Sequence, residues 1–257
     1  MRVTLLGTGT SIGVPAIGCL CDVCTSSDPR DKRTRCSALV EALGKRLLID
    51  CGPDFRSQIL PFPYAPFDGV LLTHEHYDHI GGIDDLRPFS VFGPVSLYGT
   101  ASCLDHVRQR CYYCFTDESH HYPGAPNLEL RPIEPLRPVS FGALSVLPVL
   151  LYHGPLSVLG YRIGTFAYLT DMKSLPSESF EALRGVETLV VDGLRHTPHF
   201  SHQTIEEAVA LARSIGARRT LLIHLAHTAG LHAESATSLP DGVEFAYDGL
   251  TLDLPDP

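Results

Sequence analysis

Five times in this chain a short apolar run stops at a carboxylate or an imidazole: Arg46-Leu47-Leu48-Ile49 at Asp50, Phe67 to Thr73 at His74, Phe166 to Thr170 at Asp171, Thr188 to Val191 at Asp192, and Thr220 to Ile223 at His224. Runs of this length with β-branched residues suit strands buried on both faces, with helices packed outside. Ligand sites in layered α/β architectures gather at strand ends, so these polar residues are expected to converge on one crevice. Helical signals are fewer. Thr204-Ile205-Glu206-Glu207 is a capping box, followed at helical spacing by Ile205, Ala208, Val209, Ala212 and Ile215 until Gly216. This helix starts directly after His202, where free backbone N–H groups and a positive partial charge would welcome an anion. A second helix is expected from Ile80 to Ser90, against the resistance of Gly81-Gly82. Leu128 to Val149 reads as strands separated by proline breaks.

The 257 residues carry no repeat, low-complexity tract or separating linker, so one domain spanning 1–257 is the simpler reading. A hydrophobic share of 44% with 19% charged residues is ordinary for a compact globular chain. The formal charge of -9 argues against a nucleic-acid partner, and an anionic substrate would have to be attracted locally by bound cations. No apolar run approaches the ~18 to 20 residues that span a bilayer. Met1 to Val14 is interrupted by Gly, Thr and Ser, so a cytoplasmic location without a membrane partner is expected.

The 13 histidines and 8 cysteines are clustered. His74-Glu75-His76-Tyr77-Asp78-His79 follows a strand and has the residue types and spacing to supply ligands to two first-row divalent ions. Cys19-Leu20-Cys21-Asp22-Val23-Cys24 reads, in a reducing compartment, as a metal clip before it reads as disulfides.

Through the His-x-His-x-Asp-His segment and the later order of His153, Asp171 and His224, the sequence resembles the metallo-β-lactamase superfamily. That resemblance implies an α/β fold, an αββα sandwich of two packed mixed sheets with helices on the outer faces. It further implies that His74, His76 and His153 hold one ion, that Asp78, His79 and His224 hold the other, and that Asp171 bridges them. Asp50 is a candidate for orienting a ligand histidine, because ligating imidazoles usually donate their other N–H to a carboxylate or carbonyl. Cys19, Cys21 and Cys24 with His227 make a closed tetrahedral set of the kind that holds a structural zinc, clipping the N-terminal loop to the strand end that carries His224. This set, His202, and the segments Gly7 to Pro15, Arg35-Cys36-Ser37 and Gly82 to Pro88 resemble the phosphodiesterase branch typified by phosphoribosyl 1,2-cyclic phosphate phosphodiesterase.

The function expected from that branch is hydrolysis of a small, cyclic phosphodiester by attack of a metal-bridging hydroxide. Two Zn²⁺ or Mn²⁺ ions about 3.5 to 4 Å apart would lower the pKa of a shared water and neutralise charge growing on phosphorus. His202 and Asp78 are the candidate catalytic residues, His202 binding a phosphate oxygen or protonating the leaving alkoxide. A homodimer is implied by the resemblance alone. Lactonase or thioesterase chemistry and tRNA 3′-end endonuclease activity use a similar ligand set and remain open. Other signals read as structural: Gly7-x-Gly9 as a tight turn, Cys51 as a small buried residue, Cys111-Tyr112-Tyr113-Cys114 as a buried aromatic segment. A further metal site from Cys103, Cys111, Cys114, His120 and His121 is a weaker alternative. His106, His196, His199 and His232 are left as surface or core residues.

Overall fold

The computed structural model describes residues 1–115, 122 and 124–257. Its strands run in chain order as β1 (Arg2–Gly7), β2 (Ser37–Ala42), β3 (Lys45–Ile49), β4 (Gly69–Leu71), β5 (Val95–Gly99), β6 (Leu128–Pro132), β7 (Val139–Phe141), β8 (Leu144–His153), β9 (Leu156–Ile163), β10 (Phe166–Leu169), β11 (Thr188–Asp192), β12 (Arg219–Ile223), β13 (Val243–Phe245) and β14 (Leu250–Asp253). Among the described residues they form two seven-stranded sheets, ordered β14-β1-β2-β3-β4-β5-β6 and β13-β12-β11-β10-β9-β8-β7. Both are mixed. The pairs from β14 to β3 are antiparallel and those from β3 to β6 parallel, while β7 to β10 are antiparallel and β10 to β13 parallel.

Side-chain alternation along the strands builds three apolar layers. In β3, Leu47 and Ile49 enter the core between the sheets, together with Val190 of β11 and Leu221 and Ile223 of β12. Leu48 instead faces the outer layer of the first sheet, packing with Phe55, Ile80, Leu86 and Leu104. Leu189, Val191 and Leu222 face the other outer layer, against Ile205, Ala208, Ala212 and Ile215. Strands apolar on both faces are what a sheet covered on both sides requires. The helices are α1 (Asp22–Thr25), α2 (Phe55–Ile59), α3 (Tyr77–Ile80), α4 (Ala101–Arg110), α5 (Ser177–Ala182), α6 (Ile205–Ile215) and α7 (His232–Ser238). The αββα sandwich is therefore the observed architecture.

Helix α6 has the expected reciprocal capping box at Thr204 and Glu207 and ends at Gly216, whose φ of 86° is left-handed. The helix expected over Ile80 to Ser90 is displaced and divided. Its α-helical turn, Tyr77–Ile80, starts earlier, and after Gly81-Gly82 the chain continues as a tighter 3₁₀ stretch, Ile83–Phe92, containing Pro88. The glycines are there for close approach. A Cβ on Gly82 would lie 2.0 Å from the Gly52 carbonyl oxygen, and one on Gly52 would lie 2.1 Å from that of Asp78. Cys51 N–H donates to the His79 carbonyl at 2.8 Å and Gly82 N–H to the Cys51 carbonyl at 2.9 Å, so the segment after β3 lies directly on the turn carrying Asp78 and His79. Gly7 has a similar role: its Cβ would meet the Arg35 carbonyl oxygen at 1.9 Å, so contact with the neighbouring strand, not a tight turn, selects glycine there.

Gly82→Ala is expected to destabilise the protein by about 1–3 kcal/mol, the usual cost of forcing an extra carbon into a packed site. Urea unfolding of the variant beside the parent tests this; an unchanged midpoint would show that the Cys51–Gly52 segment yields without strain.

Candidate metal centre

The strand-end residues meet as the sequence pattern requires. Asp50 follows β3, His74 lies three residues beyond β4, Asp171 follows Thr170 after β10, Asp192 closes β11, and His224 follows β12. Asp50, Asp171 and His224 have φ of 59°, 52° and 56°. Left-handed backbone is unfavourable for such residues, and it turns each side chain sharply off its strand into the crevice.

Asp78, His79, Asp171 and His224, all buried, each offer a donor atom within 4.8 Å of the others. His79 Nε2 lies 3.1 Å from Asp171 Oδ2 and 3.2 Å from Asp78 Oδ2, and His224 Nε2 lies 3.2 Å from Asp171 Oδ1. Yet His79 Nε2 and both ring nitrogens of His224 are buried without a well-directed hydrogen bond. Buried polar atoms are rarely left so, and a divalent cation at their centre satisfies all of them together. The donor set thus fits an ion.

The supporting residues fix which nitrogen each ring presents. The Asp50 carboxylate, with no exposure, accepts from His79 Nδ1 at 2.7 Å, from the Thr73 N–H at 2.8 Å and from the Thr73 hydroxyl at 2.8 Å. With its hydroxyl hydrogen given to Asp50, Thr73 Oγ1 accepts from His74 Nδ1 at 3.0 Å. His153 Nδ1 donates to the Ser201 carbonyl at 3.0 Å, and His202 Nδ1 donates to Asp192 Oδ2 at 2.7 Å. In these four rings Nδ1 is engaged, and in His79, His153 and His202 Nε2 remains for the crevice, the arrangement that orients ligating imidazoles.

The other expected trio is looser. The rings of His74, His76 and His153 come together with centroids 4.5, 5.3 and 5.7 Å apart, but His76 is exposed and turns Nδ1 onto His74 Nε2 at 2.9 Å. Donors of His153, Asp171 and His202 form one tight group, and those of Asp192, His202 and His224 another. His202 therefore stands between the two halves of the centre, its ring 4.5 Å from that of His153 and 4.6 Å from that of His224. What holds it differs from the sequence expectation. Most of the free N–H groups at the start of α6 are taken up by the protein itself: Thr204 N–H donates to Glu207 at 2.8 Å, Glu207 N–H to Thr204 Oγ1 at 3.1 Å, and Ile205 N–H to the Arg195 carbonyl at 3.1 Å. Asp192, absent from the expected site residues although it closed one of the five runs, positions His202 instead. His199, set aside in the sequence reading, lies 5.0 Å from the His202 ring.

Cys19, Cys21, Cys24 and His227 also converge, with His227 Nδ1 3.4 Å from Cys19 Sγ and 3.3 Å from Cys21 Sγ. Its hydrogen bond with His227 lowers the Cys21 thiol to about 6, and burial raises that of Cys24 to about 11. A bound ion would have to displace the second proton, since the thiolate is the ligand. Thr10 N–H donates to the Leu225 carbonyl at 3.2 Å and Leu225 N–H to that of Thr8 at 3.0 Å, joining the N-terminal loop to the chain just after His224.

Cys103, Cys111 and Cys114 are buried in the outer apolar layer of the first sheet, and Cys51 packs there with no exposure. Among the described residues none of them joins a metal-capable group, and His120 and His121 lie outside the described residues. His196 pairs on the surface with Glu206, His106 is exposed, and His232 contacts the buried Arg33. Among the described residues no helix is long and apolar enough to cross a membrane.

Comparison with known proteins agrees with this geometry. A family model described as a beta-lactamase superfamily domain matches residues 45–225. A crystal structure described as a new diphosphatase from the PhnP family is 39% identical with a TM-score of 0.90, covering 98% of this chain and 97% of that one. An octanoyltransferase of Porphyromonas gingivalis (strain ATCC BAA-308 / W83) is 47% identical over 97% of this chain, but the chain spans about half, 51%, of that relative's length. The Zn²⁺-bound PqqB of Methylobacterium extorquens, 22% identical with a TM-score of 0.81 and coverage of 99% and 100%, shares the fold. The chain belongs to the beta-lactamase superfamily and, within it, to the PhnP family.

Burial disfavours protonated His79 and His224, but the surrounding carboxylates outweigh it: Asp171, Asp78 and Asp50 push His79 well above its ordinary value, and His224 rises to about 9 with Asp171 as the main cause. An ion binding there competes with the protons that these carboxylates favour on both rings. Metal uptake by the metal-free protein is therefore expected to release protons, and to tighten as the pH rises towards about 9. Calorimetry in buffers of different ionisation enthalpy measures this; uptake without proton release would show the rings to be neutral already.

Proposed function

We propose that this chain is a dinuclear metal-dependent phosphodiesterase acting on a small, cyclic phosphodiester. The observation that carries the reading is the buried Asp192–His202 pair, 2.7 Å apart, set between the two halves of the metal centre. His74, His76 and His153 would hold one ion and Asp78, His79 and His224 the other. Asp171, which belongs both to the group with Asp78, His79 and His224 and to the group with His153 and His202, would lie between them. When bound, the two ions supply an activated water and neutralise charge on the phosphoryl oxygens.

The protein's own groups then do the rest. Asp192 keeps the proton on His202 Nδ1, so that Nε2 faces the crevice and, once protonated, can donate to a phosphoryl oxygen or give its proton to the leaving alkoxide. Asp50 and the Ser201 carbonyl keep His79 and His153 turned inward. The cysteine set would bind a structural zinc, away from the chemistry and next to the chain that carries His224. A second reading, hydrolysis of a diphosphate, is favoured by the PhnP-family structure described as a diphosphatase and would use the same groups on phosphorus.

The test is turnover by Zn²⁺- and Mn²⁺-loaded protein on five-membered cyclic phosphates, linear phosphodiesters, diphosphates, lactones, thioesters and tRNA precursors, with His76→Ala as the blank. Cyclic phosphate turnover that vanishes in the blank supports the proposal; turnover confined to lactones, thioesters or tRNA overturns it. His202→Ala is expected to keep its metal content while losing roughly 10²-fold or more in rate, the scale of general acid catalysis. Full activity in that variant would remove His202 from the mechanism. Cys21→Ala should lose about one zinc per chain together with thermal stability, and metal analysis showing unchanged stoichiometry would refute the clip.

A further inference from the structure

The mouth of the metal centre carries an aromatic side chain that the proposed chemistry does not use. Phe200 is 78% exposed. A single exposed phenylalanine needs no explanation by itself, but this one is held in place on the rim of the site. Its ring packs at a tilt against that of His199, with centroids 4.8 Å apart and planes 34° apart, and the His199 ring lies 5.0 Å from that of His202. The ring lies close to the strand end that carries His153: a Cβ added to Gly154, which directly follows His153, would come within 3.5 Å of it.

The loop that presents Phe200 is fastened on both sides. Ile205 N–H donates to the Arg195 carbonyl and Leu194 N–H to that of Gln203, both at 3.1 Å, while the Arg195 guanidinium reaches the Thr197 and Pro198 carbonyls at 3.3 and 3.4 Å. Ser201, the next residue, receives the hydrogen bond of His153. The rings of His224, His202, His199 and Phe200 thus form an unbroken series from the buried centre to solvent, with neighbours 4.6 to 5.0 Å apart. The inner rings are engaged with the metal centre or with Asp192. The outer pair offers an apolar, π-rich face one side chain beyond the group placed beside the phosphate.

We propose that Phe200, backed by His199, is a stacking platform for the nucleobase of a nucleotide-type substrate whose phosphate lies at the metal centre. The inference rests on the phosphodiesterase reading for the identity of the reacting group and adds the class of its leaving or retained moiety. Such a platform recognises any base, since every base has a π-face. It discriminates against a sugar phosphate that has none.

The experiment compares adenosine 5′-monophosphate with ribose 5-phosphate, by calorimetry, on zinc-loaded parent, Phe200→Ala and Phe200→Tyr. The same proteins are assayed on adenosine 2′,3′-cyclic phosphate and on methyl ribofuranoside 2,3-cyclic phosphate, which lacks the base. Parent protein is expected to bind the adenosine compound about fivefold or more tightly, the low end of what one stacked base contributes. Phe200→Ala should abolish that preference with its effect in KM and not kcat, and Phe200→Tyr should keep it. Equal affinities in the parent, or a preference that survives in Phe200→Ala, overturn the platform. Base preference in binding without turnover of either cyclic phosphate overturns the phosphodiesterase reading and upholds the platform; turnover of both without preference does the reverse.

Discussion

The pairing of Asp50 with Thr73 holds the centre together. Asp50 lies at the end of β3 and Thr73 just past β4, neighbouring parallel strands of one sheet. The carboxylate accepts both the backbone N–H and the hydroxyl of Thr73 before it reaches His79. The Thr73 carbonyl accepts a hydrogen bond from Leu159 N–H of β9 at 3.0 Å, and the preceding Leu72 carbonyl accepts one from the Tyr161 hydroxyl at 2.6 Å. Facing sheets normally pack about 10 Å apart, so a backbone hydrogen bond between them means that the sandwich is pinched at this edge. The pinch is what brings metal-capable side chains from the two sheets together.

That division of labour explains the topology. The first sheet contributes His74, His76, Asp78 and His79 from the single turn after β4, and the second contributes His153, Asp171 and His224 from three different strands, with His202 from the loop after β11. Burial of Asp50 would on its own raise its carboxyl pKa, and the net shift is upward despite its hydrogen bonds with His79 and Thr73. Asp78 and Asp171 are held well below the usual carboxylate range despite their burial, because charged imidazoles face them. Carboxylates of the two kinds serve different ends: Asp50 is enclosed by donors and positions a ring, whereas Asp78 and Asp171 keep anionic oxygens turned towards the ion site.

Much of this was legible in the sequence because the signals are local. A strand that is apolar on both faces and ends in a ligand shows itself within six or seven residues, and the His-x-His-x-Asp-His turn needs no long-range information. The capping box of α6 and the spacing of Cys19, Cys21 and Cys24 are equally short-range. What was not legible depends on how distant segments meet. Nothing near His202 in the chain signals that its partner is Asp192, ten residues earlier, and the helix start beside it suggested a different partner. The 3₁₀ stretch after Gly82 stands where an α-helix was expected, with Pro88 inside it and Gly52, from another strand end, packed against Gly82. His199 carried no local pattern at all, and only the fold of its loop puts it against His202.

The N-terminal loop follows from the same constraint. His224 sits in a left-handed conformation with neither ring nitrogen in a well-directed hydrogen bond, so unlike His79 and His153 it is not fixed through Nδ1. The residue after it, Leu225, is paired on both its N–H and its carbonyl with the Thr8–Thr10 segment, and His227 two residues further on reaches Cys19 and Cys21. The backbone around His224 is thereby fixed from outside the centre, where the other rings are fixed from within. The ring itself is held by packing, stacked on that of His202 with centroids 4.6 Å apart and 1% exposed, so backbone tethering and ring packing together place His224 in the crevice.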